Sequence, residues 1–464
     1  MIRNQSTAVE RGIPVLLLTG VLLFLAYSPL LRAFFDPQDF LTIMVPRSAG
    51  WSLERYLAEG WIYTESDGTV GGFFRPLSSL LYIPEYELFG TNPVPWMAVS
   101  VIIHFTCCAA VGWLALRLGM SRASAALATL LMAAHPRAVI AVQMVNTRPD
   151  VLATLFIVLA LGFFVKSGDG SRWKPVIPAL LAFAAMSSKE LGFVSALLLP
   201  IAYFVWPRET RGRLSPLPVL LTGAALLLMF LLRTMVLDYL GGYRVYNPPG
   251  EMTANTVRLF GNLTGVSWVV PEAARVVSGL VVAAFLSVPM LVKPEGWRRL
   301  AVLTAGTALL GAQALINFGP GHYEYGACAF FCLLVAASAG EILRGRRIGE
   351  WILLGFYAVA LVPPALLGRR MNEGYAASTG VQRKLFEAAG RSWQGIDPSV
   401  PWQIELDSER TEKLLPYYVA YYWHSEDHSF SFVPPGSPGE PGTGIIRYDG
   451  TELLLTPPEG MGEP

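Results

Sequence analysis

The feature that most limits what this chain can fold into is a series of apolar runs near bilayer-spanning length, separated by short basic segments. A hydrocarbon core about 30 Å thick needs roughly 20 helical residues to cross it. Runs of this kind lie at 13–31, 94–116, 122–134, 149–165, 175–187, 191–206, 216–237, 276–292, 300–317, 323–343 and 351–367. Eleven spans are therefore expected. The runs 122–134 and 175–187 are short for a bilayer, and are expected to extend into flanking turns or to be surrounded by protein. Composition agrees: 53% of the 464 residues are hydrophobic and only 15% charged, against about a quarter charged in a soluble domain. The fold class is all-α polytopic membrane protein. A net charge of +1 with no basic stripe gives no sign of a nucleic-acid partner.

Charge sets the expected direction of each span. With the N-terminus cytoplasmic, the inside segments hold Arg3 and Arg11; Arg117 and Arg122; Lys166, Arg172 and Lys174; Arg208, Arg211 and Arg213; Lys293, Arg298 and Arg299; and Arg344, Arg346 and Arg347. Every inside loop is basic, as the positive-inside rule requires. The first span is read as uncleaved, because 13–31 is long and lacks a small-residue cleavage site. An integral membrane protein of a bacterial inner membrane is expected, with the C-terminus extracytoplasmic. The first outer loop, 32–93, is acidic. Within it SLERYLAEGWIYT (52–64) has an amphipathic pattern suited to a membrane surface, and PLSSLLYIPEYELFG (76–90), broken by Pro84, reads as an interfacial or re-entrant helix.

After Leu367 the chain turns polar, which divides it into a membrane domain, 1–368, and an extracytoplasmic C-terminal domain, 369–464. PWQIEL, SFSFV and GIIRYDGTELLL read as strands, and ERTEKLLPYYVAYYWH as a helix, so this appendage is expected to be α/β or β-rich. Cys107, Cys108, Cys328 and Cys332 lie inside apolar runs with no CxxC, as small buried hydrophobes would. His424 and His428 are four apart but lack the HExxH pattern, so no metal site is expected there.

Charged residues at the outer ends of spans are the candidates for chemistry, because charge at membrane depth is costly and is usually kept for a partner. AFFDPQDF (33–40) places Asp36 and Asp39 just after the first span. FFRPL (73–77) places Arg75 at the interface. HPRAVIAVQMVNTRPD (135–150) carries His135, Arg148 and Asp150, SSKEL (187–191) carries Lys189 and Glu190, and LLRTMVLDYLGGY (231–243) carries Arg233. NFGPGHYEYGA (317–327) carries His322, Tyr323 and Glu324. Each has an ordinary explanation alone: a snorkelling Arg75, a capping Asp150, a Lys189–Glu190 pair fixing a hairpin. Together, four cations and a histidine at one membrane face, with two acids above, suit a lipid phosphate below and a hydroxyl acceptor above.

The string FFRPLSSLLYIPEYELFGTNPVPWMAVSVIIH, then HP followed by RPDVLATLF, SSKELGF and LLRTMVLDYLGGY, resembles GT-C membrane glycosyltransferases. The nearest branch is the transmembrane and tetratricopeptide-repeat O-mannosyltransferases and their bacterial relatives, over about 13–370. The resemblance implies transfer of one sugar from a polyprenyl-phosphate donor to an acceptor outside the cytoplasm, with the catalytic acid in the first outer loop. Many members carry adjacent acids there; here the pair is Gln38-Asp39, with Asp36 three residues earlier, and the tetratricopeptide repeats are absent.

Chemistry assigns roles. A phosphate leaving group needs charge neutralisation and the attacking hydroxyl needs a base. Asp39 is expected as base with Asp36 assisting. Arg75, Arg148, Lys189, Arg233 and His322 are expected on the donor phosphate, with His135, Asp150, Glu190, Tyr323 and Glu324 in support. No metal ligands are assigned, and the need for a divalent metal, the sugar and the protein or glycan acceptor are left open. Two other readings stay open: a flippase for a polyprenyl-linked sugar, and an inactive membrane scaffold.

Overall fold

The computed structural model describes residues 2–36, 39, 42–43, 62–64, 70–165, 175–205, 215–237, 252, 255, 258–259, 262–263, 296–316, 321–342, 361–392, 402–405, 430–433, 443–448 and 453–456. Helix dominates. In chain order the helices are α1 (Ile2–Tyr27), α2 (Pro76–Phe89), α3 (Pro93–Arg117), α4 (Arg122–Ala134), α5 (Pro136–Gln143) and α6 (Arg148–Phe164). They continue with α7 (Val176–Ser188), α8 (Ser195–Val205), α9 (Leu217–Leu237), α10 (Gly296–Ile316), α11 (Tyr325–Ile342) and α12 (Val362–Ser392). Short 3-10 turns follow α1, join α7 to α8, and precede α11.

Nine of the eleven expected spans fall on helices, α1, α3, α4 and α6–α11. The run 276–292 lies outside the described residues, as does 351–360. By length and apolarity, four described helices qualify as membrane crossings: Ile13–Arg32, Pro93–Arg117, Leu217–Val236 and His322–Glu341. A fifth is added if α4 and α5, bent by 56° at His135, form one broken span. The chain is described accordingly as an integral membrane protein.

Local sequence accounts for the breaks. Asn92 and Ser121 cap α3 and α4 by accepting the N–H groups of Val94 and Ser124. His135 ends α4 and starts α5: its Nδ1 accepts from the Arg137 N–H, and Pro136 occupies the first helical position, where a missing N–H costs nothing. The segment between these two spans, given no element from the sequence, thus contains a short helix. The turn between α7 and α8 is tight because Gly192 lies against the backbone of Ala185 and Met186, where a Cβ would overlap.

Two expectations change shape. The last residues of the amphipathic stretch 52–64 are a strand, Ile62–Thr64, paired antiparallel with Val70–Gly72; its remainder lies outside the described residues. The expected boundary at 368 falls inside α12, a single helix that is apolar over Val362–Gly368 and polar after it, so the composition changes within one element. The expected strands form: β3 (Trp402–Glu405) lies between parallel β4 (Phe430–Val433) and parallel β5 (Gly444–Tyr448), and β5 pairs antiparallel with β6 (Leu453–Thr456). The expected helix 409–424 lies outside the described residues.

Candidate active site

The ends of α2, α6, α7 and α9, the turn before α11 and the segment after α1 meet in one polar layer. It is built from α2 outward. Ser78, Tyr82 and Glu85 recur at four- and three-residue spacing, so they share a helix face, and all three are buried. The Ser78 hydroxyl donates to the Ser188 carbonyl at 2.8 Å and the Tyr82 hydroxyl to the Val145 carbonyl at 3.1 Å. Glu85 accepts from Arg148. The expected helix at 76–90 forms, with this buried polar stripe along it. The polar residues are not scattered; they face inward.

Arg148 is fully buried. Its Nη1 donates to both Glu85 carboxylate oxygens at 2.7 and 2.8 Å, its Nε to Ser100 at 3.1 Å, and its Nη2 to the Trp96 carbonyl at 2.9 Å. The guanidinium carbon lies 5.5 Å from the centre of the Tyr82 ring and 5.8 Å from that of Trp96. A cation so enclosed, with each of its nitrogens engaged, binds α2, α3 and α6 to one another, and has no free direction for a phosphate. The expectation that it contacts the donor is corrected on that ground.

Lys189 and Glu190 do not pair with each other. Lys189 has extended backbone (φ −163°, ψ 158°), so the two neighbouring side chains leave on opposite sides. Lys189 pairs with buried Asp150 and lies 4.7 Å from the centre of the Tyr323 ring. Asp150 therefore serves this ion pair, while Thr147 holds the N-cap position of α6. Glu190 is shared by two guanidiniums: Arg75 donates to Oε2 at 3.1 Å from Nε and 2.7 Å from Nη2, and Arg233 donates to Oε1 at 3.0 Å. Side-chain exposure is 13% at Arg75 and 20% at Glu190 but 3% at Arg233, so the cluster opens on the Arg75–Glu190 side. Among the described residues, the cations Arg75, Lys189 and Arg233 thus gather around the carboxylates of Asp150 and Glu190.

His322 stacks on Tyr323 with ring centres 4.0 Å apart and lies within electrostatic reach of Lys189 and Arg75. Glu324 turns away from this cluster. It accepts from Asn262 at 2.6 Å and pairs with Arg137 at 3.2 Å. His135 donates from Nε2 to the Leu263 carbonyl at 3.1 Å, a structural contact. Sequence reasoning assigned no role to Glu85, Asn146, Arg137 or Asn262. Their partners are 62 to 187 residues away or carry no local pattern.

Asp39 is fully buried. Its Oδ1 accepts from the Asn146 N–H at 2.8 Å and its Oδ2 from the Asp36 N–H at 3.0 Å. The carboxylate therefore joins the first outer segment to the α5–α6 turn, two residues before Arg148. Burial first, then the like charge of Asp36, push its carboxyl up to about 8. The two backbone N–H groups and Arg148 act in the opposite sense and are outweighed. Asp36 is half-buried beside it. A carboxyl poised near neutrality can take a proton from a reacting hydroxyl. Among the described residues, no three His, Cys, Asp or Glu side chains gather to hold a metal ion.

No family model matches this chain, and no curated protein matches it significantly in sequence. Solved structures do match. ArnT from Cupriavidus metallidurans bound to undecaprenyl phosphate superposes with a TM-score of 0.55 at 15% identity, over 92% of this chain and 87% of that one. The Archaeoglobus fulgidus oligosaccharyltransferase tethered to an acceptor peptide gives 0.53 at 12%, over 92% of this chain and 64% of that one. The archaeal oligosaccharyltransferase AglB from the same organism, in complex with an inhibitory peptide and a dolichol-phosphate, gives 0.52 at 13%, over 90% and 64%. ArnT and AglB are polyprenyl-phosphate-dependent glycosyltransferases of the GT-C superfamily. The likeness read from the motifs thus holds at the level of architecture: this chain has the GT-C fold.

Proposed function

We propose that this protein is an integral-membrane glycosyltransferase that moves one sugar from a polyprenyl-phosphate donor to an extracytoplasmic acceptor hydroxyl. One observation carries the reading: a buried carboxyl raised to about 8, Asp39, lies in the same polar layer as three cations, Arg75, Lys189 and Arg233. The neighbour solved with undecaprenyl phosphate and the one solved with dolichol-phosphate support this donor class.

The acceptor O–H gives its proton to Asp39 as its oxygen bonds the anomeric carbon. The bond from that carbon to the phosphate oxygen breaks, and polyprenyl phosphate leaves with one more negative charge than it had in the donor. Arg75, Arg233 and Lys189, with His322 beside them, stabilise that charge in a water-poor layer, where each such interaction is stronger than in solvent. Glu190 and Asp150 hold the three cations at fixed places. Arg148, locked to Glu85, keeps the Asn146 N–H aimed at Asp39. A single displacement inverts the anomeric centre. Asp36 supplies an N–H to the base and raises its proton affinity. The site faces away from the cytoplasm, with the N-terminus inside and residues 369–464 outside.

The test is donor turnover. Purified protein is incubated with a panel of polyprenyl-phosphate sugars, and release of polyprenyl phosphate is followed by mass spectrometry beside Asp39→Asn. Release by the wild type that is abolished in the variant supports the transferase and names the donor. Binding without release, dependent on Lys189 and Arg233, would move the assignment to a lipid-sugar flippase or an inactive scaffold.

A further inference from the structure

The helix that follows the last expected span does more than leave the membrane. α12 has 31 residues, about 46 Å at 1.5 Å per residue, against a hydrocarbon core about 30 Å thick. After its first turns, Val362–Gly368, it carries Arg369, Arg370, Glu373, Arg383, Lys384 and Glu387. Along it Asn372, Thr379, Arg383 and Phe386 recur at spacings of seven, four and three, which places them on one helix face.

That face meets the segment that leads from α1 to Asp36 and Asp39. The Asn372 side chain donates to the Ala26 carbonyl at 2.8 Å. The Thr379 hydroxyl accepts the Phe34 N–H at 3.0 Å. Arg383 donates to the Ala33 carbonyl at 3.5 Å, and its guanidinium lies 5.4 Å from the centre of the Phe34 ring. Phe386 packs on Phe34 with ring centres 5.4 Å apart. Asn372 and Thr379 are fully or almost fully buried. The Phe34 N–H follows the last turn after α1, and the buried contact with Thr379 takes the place of a helical partner. Two residues further on, the Asp36 N–H is one of the two donors to the Asp39 carboxylate.

We infer that Thr379, supported by Asn372 and Arg383, is a positioning residue for the reaction: it fixes the backbone of 33–36 and through it the geometry of Asp39. This rests on the transferase reading above. The mechanism assigns these residues no contact with donor or acceptor. Their effect passes through the loop, so it falls on the chemical step and on the proton affinity of the base, not on donor affinity.

The experiment compares Thr379→Val, Thr379→Ser and Phe386→Leu with wild type in the full-length protein, using the donor identified in the panel. For Thr379→Val the expected result is a 10- to 30-fold fall in kcat, a donor KM within twofold, and a displaced acid limb of the kcat pH profile. Thr379→Ser, which keeps the acceptor oxygen, recovers kcat to within threefold. Phe386→Leu, which keeps the hydrogen bond and trims the ring contact, falls by a smaller factor in the same parameter. Thermal unfolding in detergent is read alongside. If Thr379→Val does not fold, Phe386→Leu alone decides by the same split of kcat from KM. The inference is overturned by a Thr379→Val enzyme with unchanged kcat and pH profile, by a loss that appears in KM, or by a Ser variant as slow as Val. Wild-type protein that releases no polyprenyl phosphate overturns both this inference and the reading beneath it, whereas active wild type with an unaffected Val variant overturns this inference alone.

Discussion

Two arginine-centred regions of the same polar layer differ in one respect, their access to an outside ligand. Arg148 and Glu85 form a closed pair, one charge against one, with every nitrogen of the guanidinium engaged by protein. Arg75 and Arg233 share the carboxylate of Glu190, on the partly exposed side of the layer. A closed pair fastens helices. Two guanidiniums on one partly exposed carboxylate can be reached by a ligand. Both arise from an arginine at the end of an apolar run, and only the partner count separates them.

The largest expected effect tests where the base belongs. Asp39 hangs from the closed side through Asn146, yet its role is in turnover. Asp39→Asn should lower kcat by about 10²–10⁴-fold, the range for losing a general base, with donor KM within threefold. Equal loss in binding would place Asp39 with the donor cluster.

The closed pair comes next. Arg148→Met leaves Glu85 with an uncompensated buried charge and should cost about 3–5 kcal/mol in stability, read as a lower denaturation midpoint in detergent. Adding Glu85→Leu should restore most of it. A double variant as unstable as the single would show that the pair does not act as a unit.

The open cluster should respond in the opposite manner. Arg75→Gln or Arg233→Gln should raise donor KM about tenfold, the value of one charge-assisted hydrogen bond. Stability should fall by less than in Arg148→Met, because Glu190 keeps its other guanidinium. A reversal of these two rankings would break the comparison.

The smallest effect is in pH. Asp39 acts only when ionised, and its carboxyl sits at about 8. The rate kcat/KM should therefore rise with pH, about tenfold per unit below that value, and level above it. Asp36→Asn removes the like charge that raises Asp39, so the same limb should move to lower pH. A limb that stays in place, or moves up, would mean that burial alone sets the proton affinity.

Much of the architecture was legible because apolar length is a one-dimensional property. The helices α3, α4 and α6–α11 and the strands β3–β6 lie where runs and alternation put them. The convergence of Arg75, Lys189, Arg233 and His322 was also legible, since alternating spans bring their outer ends to one face. Pairing was not. Glu85 and Arg148 are 63 residues apart, and nothing local joins them except the inward stripe Ser78–Tyr82–Glu85. Lys189 and Glu190 misled in the opposite way: adjacency looked like a pair, but an extended residue turns neighbours apart. The change of polarity at 368–369 marks no break in the backbone, because a helix can continue where its composition changes.

The contact between Phe34 and Thr379 spans 345 residues, which has a consequence for biogenesis. At about 5–20 residues per second, tens of seconds separate the synthesis of Asp39 from that of the helix that steadies its loop. The segment after α1 is made with its acids first, and the cations of the polar layer follow one helix at a time. The layer is complete only when most of the chain has been made and its late helix has docked against the first. A partly made chain therefore has the charges of the polar layer but not their arrangement, and any chemistry proposed for that layer must wait for the last helix.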